Sequence, residues 1–333
     1  MKFVSVAPVR LVGAGERGAA LLSVLLLVAV MAVLCAASLE KLKISTKLAT
    51  NGAAIDQARS YGMAAETIAL YRIGDLLQLD AAKTTLQGNW AGQPTEFPID
   101  KGIATAQLDD SGNCFNLNSV VMDDGQGGYA VRPGGVAQFE RLMILLQVSS
   151  NEARGIALAT ADWIDTDGIP QPGGAEDSAY TDVPIPYRTS NTLMIDPSEL
   201  RAVAGVRADV YTQLRPFLCA LPVTDLSPIN INTIAPQQAV LLAMLAPGID
   251  VARAQRVIDD RPQLGFESTA RFWSEPALAG APPEAVAQTQ MKTRWFNLKV
   301  MIELAGAEFE QNALIDAALK PAKLVRRSYG EPS

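Results

Sequence analysis

No stretch constrains this chain more than the one from Ala19 to Leu39. Its twenty-one residues carry no charge, and charge returns at Glu40. As a helix rising about 1.5 Å per residue, they extend roughly 32 Å, enough to cross the hydrocarbon core of a bilayer. The flanks set a direction. Lys2, Arg10 and Arg17 precede the run against a single acid, Glu16. Cationic flanks stay on the cytoplasmic side, so the body from Glu40 onward is expected outside the cytoplasm.

Several readings fit such a run. A secretory signal peptide would be cut beyond it, with Cys35-Ala36-Ala37 as a weak small-x-small site. A lipoprotein site at Cys35 fits poorly, because Leu34 is bulky where a small residue is wanted. A plain uncut anchor is another reading. Arg17-Gly18 directly before an uninterrupted apolar helix resembles the cleavage site of a type IV prepilin. That resemblance implies a leader of residues 1–18, cut after Gly18, with Ala19 opening a mature chain that keeps its helix. Most pilins carry a glutamate at the fifth mature residue, and here that residue is Ser23. A carboxylate inside the membrane is costly unless paired. A subunit with nothing ahead of it has no amine to pair with, so the loss fits one that begins a filament.

Composition excludes several functions. The formal charge is −7 over 333 residues, and losing a leader with three bases and one acid makes the mature chain −9. An acidic body argues against nucleic acid, whose binding rests on neutralising phosphates. There is no histidine. Ser-His-Asp and Cys-His catalysis and the usual His-ligated zinc sites are therefore excluded, and no other catalytic set stands out, so no enzyme is expected. Of three cysteines, Cys35 lies in the apolar run. Cys114 and Cys219 lie in the exported body, where a disulfide can persist; two separate buried thiols are the alternative.

Along the chain, Leu42, Leu48, Ile55, Ala58, Met63, Ile68, Leu70 and Ile73 recur at helix-compatible spacings, so the anchor helix is expected to continue as an amphipathic rod. Residues 75–86 extend it or form a separate short helix. Residues 88–98 read as loop. A strand is expected over 103–108, then a turn over 109–113, then a short extended piece through Asn116-Leu117-Asn118. The glycines between Gly125 and Gly135 read as loop. Two apolar helical faces follow, one with Phe139 and Leu142, one with Ile156 and Ile164. Asp196, Pro197 and Glu199 form a helix-opening capping box. Val210, Leu214, Phe217 and Leu218 make the next helical face. From Phe296 to Leu304 the period changes to two, a half-buried strand. Gly306 allows a turn, residues 307–319 return as strand or helix, and residues 323–329 suit a last strand.

Two stretches bear on binding. Asp165, Asp167, Glu176 and Asp177 sit on one loop rich in glycine and proline. Calcium takes six to eight oxygens from such loops. The start resembles an EF-hand, and Glu176 falls at the twelfth position from Asp165. Ile169 and Pro170 stand where a ligand and a glycine are wanted, so an EF-hand is not expected. An irregular calcium loop and a merely solvated acidic loop both remain. The second stretch, residues 237–260 around Pro247-Gly248-Ile249, resembles a helix-hairpin-helix. DNA-binding hairpins want a basic turn, and Asp250, Asp259 and Asp260 oppose Arg253, Arg256 and Arg261 here. A membrane-anchored DNA-uptake protein is the alternative function; a small helical packing unit is the plainer reading.

Taken in order, the anchor, the N-L-N segment, W-I-D-x-D followed by G-A-E-D-x-x-Y, the N-I-N-T lead-in at Asn230 and the final strands resemble the minor pseudopilin K family of type II secretion. The resemblance covers almost the whole chain. It implies an α+β fold, with a pilin-like transmembrane helix packed on an antiparallel sheet and a large inserted helical domain. The implied divisions are leader 1–18, span 19–39, first pilin part 40–117, insertion 118–290 and final sheet 291–333. It implies structural calcium at the acidic loop and a single-pass inner-membrane protein with its body in the periplasm. It also implies methylation of the Ala19 amine, and as partners prepilin peptidase, the minor pseudopilins I and J and the inner-membrane secretion platform. The implied role is to initiate the pseudopilus at its tip.

Overall fold

The computed structural model describes residues 14–181 and 184–330. Most of the expected leader, residues 1–13, lies outside that range, as do the last three residues of the expected C-terminal sheet. A single helix, α1 (Ala14–Leu79), carries the apolar run and the rod as one uninterrupted element. Among the described residues the apolar half is exposed along its whole length, and one face becomes buried from Ala54 onward.

That buried face is built from small residues. Ala54, Ala58, Gly62, Ala69 and Ile73 face the sheet, with Glu66 among them. At Gly62 an added Cβ would meet the end of the Gln311 side chain, which would have to shift to admit it. Of the expected rod pattern, Ala58 and Ile73 lie on this face, Ile68 points away from it at 55% exposed, and Leu48, 68% exposed, precedes the stretch that meets the sheet. Large side chains would hold the helix off the sheet, whereas alanine lets the backbones approach. The helix stops at Leu79, and residues 80–86 are not helical.

Next come β1 (Thr95–Ile99) and β2 (Gly102–Asp110). The first corrects the loop expected over 88–98: Pro98 is tolerated because β1 is an edge strand. An insertion then leaves the sheet after Asp110 and returns at Trp295. Its first half holds β3 (Phe115–Asn116), β4 (Val121–Asp123), β5 (Tyr129–Val131), α2 (Pro133–Leu145), α3 (Ser150–Ile164), α4 (Asp177–Tyr180), α5 (Ala208–Leu214) and β6 (Leu218–Cys219). Its second half holds β7 (Ile229–Asn230), α6 (Ala239–Ala243), α7 (Val251–Asp259), α8 (Thr269–Trp273), α9 (Pro283–Gln288) and β8 (Thr289–Gln290). The glycine-rich stretch expected as loop contains β5 and the start of α2, which Pro133 opens at its first turn. The capping box at Asp196 and Glu199 is formed, but it starts a 3₁₀ turn over Pro197–Ala202. Leu218, expected on a helix, lies in β6.

Each half of the insertion opens on an N-x-N segment and closes with a two-residue parallel ladder, β3 with β6 and β7 with β8. The asparagines hold these ladders. Asn116 Oδ1 accepts from the Asn118 and Leu221 amides, at 3.2 and 3.0 Å. Asn118 donates to the Met194 and Leu221 carbonyls and accepts from the Met194 amide. Asn230 donates to Thr84 and Thr293, and Asn232 exchanges two bonds with the Phe266 backbone. A disulfide joins Cys114 to Cys219 beside the β3–β6 ladder, with Cα atoms 5.8 Å apart. The cystine packs on Trp295 and Leu314, where the insertion meets the sheet.

The chain finishes with β9 (Trp295–Leu304), β10 (Ala307–Asp316) and β11 (Lys323–Tyr329). The five-stranded sheet runs β1-β2-β9-β10-β11, antiparallel throughout. Phe296, Leu298, Val300 and Ile302 of β9 bury one face against α1. The insertion has its own core, centred on stacked Phe115 and Phe139. It adjoins the end of α1 farthest from the apolar run, because Thr84 and Lys83, just past that end, bond to Met291 and Leu264. The fold is α+β: a long N-terminal helix on an antiparallel sheet, with a large helical insertion.

Candidate metal site

Helix α3 ends at Ile164 with its apolar face buried through Ile156, Ala157 and Trp163. That packing delivers Asp162 and Asp165 to the start of the acidic loop, at a helix C-terminus. The carbonyl end of a helix disfavours anions, so carboxylates gathered here favour a cation.

Asp165, Asp167 and Glu176 each bring an oxygen within 4.8 Å of the others. Asp165 and Glu176 are buried and Asp167 is exposed. Both carboxylate oxygens of Asp165 and the Oε1 of Glu176 are buried without a hydrogen-bond donor. A buried acceptor left without a partner is costly, and three within one cluster call for a ligand that accepts lone pairs. Burial, then Asp167, Asp162 and Glu176, push the Asp165 carboxyl up to about 7. Burial and the Asp162 charge also raise Glu176. The donors are all carboxylate oxygens, which suits a hard cation such as calcium and not a soft one.

The fourth expected ligand goes elsewhere. Asp177 accepts from the Thr189 amide at 3.0 Å and its hydroxyl at 2.8 Å, with Arg188 3.7 Å away. The Thr189 bonds hold its carboxyl below the usual range. Asp162, absent from the expected ligands, shapes the loop. Its carboxylate accepts from the Ala175 amide at 2.7 Å and the Gln171 amide at 3.1 Å. Gly174 packs so closely on that carboxylate that a Cβ would collide with it. Only the acidic residue on the last turn of an apolar helix hinted at this role.

The hairpin is fastened to α2, with Pro247, Gly248 and Asp250 at its turn exposed. Arg141 of α2 donates to the carbonyls of Ala243, Ala246 and Ile249 around the Pro-Gly turn. Asp250 caps α7 by accepting from the Arg253 amide at 2.8 Å, occupying the terminus a phosphate would need. The hairpin is a packing unit, and the DNA-uptake alternative has no support. At the other end of the chain, Gly18 and Ala19 lie within continuous α1, where Ser23 donates to the Ala19 carbonyl at 2.6 Å.

Two family profiles described as type II secretion system (T2SS), protein K match residues 113–223 and 229–294. Type II secretion system protein K of Pectobacterium carotovorum subsp. carotovorum is 34% identical over 325 residues, covering 95% of this chain and 97% of that one. The protein K of Aeromonas hydrophila is 36% identical, covering 87% and 89%. The fold matches a chain in the crystal structure of the GspK-GspI-GspJ complex from enterotoxigenic Escherichia coli. The TM-score is 0.73 and the identity 31%, covering 83% of this chain and 96% of that chain.

Proposed function

Because this chain belongs to the protein K family of type II secretion systems, it acts as a minor pseudopilin, and we propose that it starts the pseudopilus and stays at its tip. The observation that carries the reading is the placement of the insertion. It sits past the distal end of α1, held there by Thr84 and Lys83. A body of that bulk would crowd any subunit stacked above it. The apolar half of α1 makes the chain membrane-anchored, and the basic leader favours the inner membrane with the body in the periplasm.

Prepilin peptidase would cut after Gly18, and the amine of Ala19 would be methylated. The partners would be minor pseudopilins I and J, as in the solved complex, and the inner-membrane platform. The role is structural, and no catalysis is assigned to the chain. Asp165, Asp167 and Glu176 would hold a calcium ion, with further oxygens from the loop or water. Its charge would offset the clustered carboxylates and fix a loop that has little apolar packing of its own.

The test is coexpression with I, J and the peptidase. A ternary complex on size exclusion, with the chain starting at Ala19, is the expected result. A chain that retains Met1, or that elutes alone, would overturn the tip assignment.

A further inference from the structure

Beyond Leu39 the chain reads Glu40-Lys41-Leu42-Lys43-Ile44-Ser45-Thr46-Lys47. Every one of these residues is exposed on α1. Among the described residues, no ion pair joins any of the three lysines to another side chain. Three bases against one acid give this segment a charge of +2, in a mature chain that is acidic as a whole.

The spacing places these charges at the membrane surface. At 1.5 Å per residue, Lys41, Lys43 and Lys47 stand about 3, 6 and 12 Å beyond Leu39 along the axis. The headgroup layer is about 5–8 Å deep. Side chains on a helix lean toward its N-terminus, which here is the membrane side, so the long Lys47 stem reaches back to the headgroups.

Their angular arrangement distinguishes lipid from a protein neighbour. Lys43 and Lys47 are four residues apart and share one face. Lys41 lies about 200° around the axis from Lys43. A docked protein meets one face of a helix, whereas a headgroup layer surrounds it. Leader removal would also take Lys2, Arg10 and Arg17 away, leaving these lysines as the basic flank of the mature span.

We propose that Lys41, Lys43 and Lys47 form a collar that binds the phosphates of anionic phospholipids on the side of the bilayer facing the body. Which leaflet this is rests on the orientation proposed above; the binding itself does not. The collar would set the depth of the mature helix once the leader is gone.

The test uses the full mature chain in nanodiscs of equal phosphatidylcholine and phosphatidylglycerol, with the retained lipid read by native mass spectrometry. Phosphatidylglycerol is expected in roughly fivefold excess, from the attraction of a lysine to an anionic surface. The K41Q/K43Q/K47Q variant should bring the ratio near one. Equal retention by the unaltered chain, or an unchanged ratio in the variant, overturns the collar. So do lysine cross-links between two copies in phosphatidylcholine alone without any lipid preference, which would assign the lysines to a neighbouring subunit. Trypsin access to the body in right-side-out vesicles reads orientation separately. A protected body would defeat the orientation while leaving the lipid ratio intact.

Discussion

Arg327 of β11 holds Glu66 of α1 with two parallel bonds, Nε to Oε1 at 2.6 Å and Nη2 to Oε2 at 2.5 Å. Gln311 of β10 adds a third donor to the same carboxylate at 2.6 Å. The Glu66 side chain is 7% exposed. Successive strand residues point to opposite faces, and Arg326, next along β11, donates to the Ala220 and Ile195 carbonyls of the insertion. One strand thus ties the helix to the sheet on one side and the insertion to the sheet on the other. Removing one partner of a buried pair leaves a charge uncompensated, at a cost of about 3–5 kcal/mol. Arg327→Ala is expected to lose about 3 kcal/mol in denaturant unfolding, a little less than a fully buried pair because Arg327 is partly exposed. The double variant E66L/R327M should lose less than either single truncation. If it loses the sum, the pair is not the coupled unit described here.

Asn118 is fully buried and makes three bonds across the first half of the insertion, two as donor and one as acceptor. Asn118→Ala would strand two carbonyls and one amide in the core. Such groups cost about 1–3 kcal/mol each. A loss of about 3 kcal/mol is expected, with faster hydrogen exchange at the Met194 amide. An unchanged exchange rate there would show that the side chain does not hold the segment.

The membrane run, the final strands and the acidic cluster were legible because each is a local pattern of charge or period. The packing face of α1 was legible only in part. It is written mostly in alanine and glycine, so the periodic pattern caught only Ala58 and Ile73 of it and included Ile68, which points away from the sheet, and Leu48, which precedes it. Edge strand β1 was hidden by Pro98, a residue that argues against a strand unless the strand lies at an edge. At the acidic loop, sequence placed Asp165, Asp167 and Glu176 together. The role of Asp162 depends on the Gln171 and Ala175 amides folding back on it, a tertiary fact. Asp177 sits beside Glu176 in sequence, yet Thr189 draws its carboxylate away.

Cys114 and Cys219 are 105 residues apart and close the whole first half of the insertion into a loop. Constraining a loop of about 100 residues in the unfolded chain contributes about 4–5 kcal/mol in the chain-entropy account. The double variant C114S/C219S should therefore unfold about 4 kcal/mol more easily. Trp295 packs against the cystine, so its fluorescence should report the change. A denaturation midpoint that is the same with and without reductant would show that the bond adds nothing.

The last prediction joins Asp165 to pH. Its folded carboxyl titrates near 7 against an ordinary value of 3.8. The folded, metal-free chain therefore binds a proton more tightly than the unfolded chain. Stability should fall as pH rises from about 4 to 7 and stay low above that, the reverse of an ion-paired carboxylate. Calcium competes with that proton and binds the ionised form. Its stabilising effect should be small at pH 5 and largest above pH 7. Thermal unfolding at pH 5, 6, 7 and 8, in chelator and in calcium, reads both trends. Asp165→Asn should flatten the chelator series and abolish the calcium response. Asp177→Asn should keep that response, because its carboxylate serves Thr189. A calcium response equal at pH 5 and 8, or one lost with Asp177 and kept without Asp165, would remove the ion from the site described here.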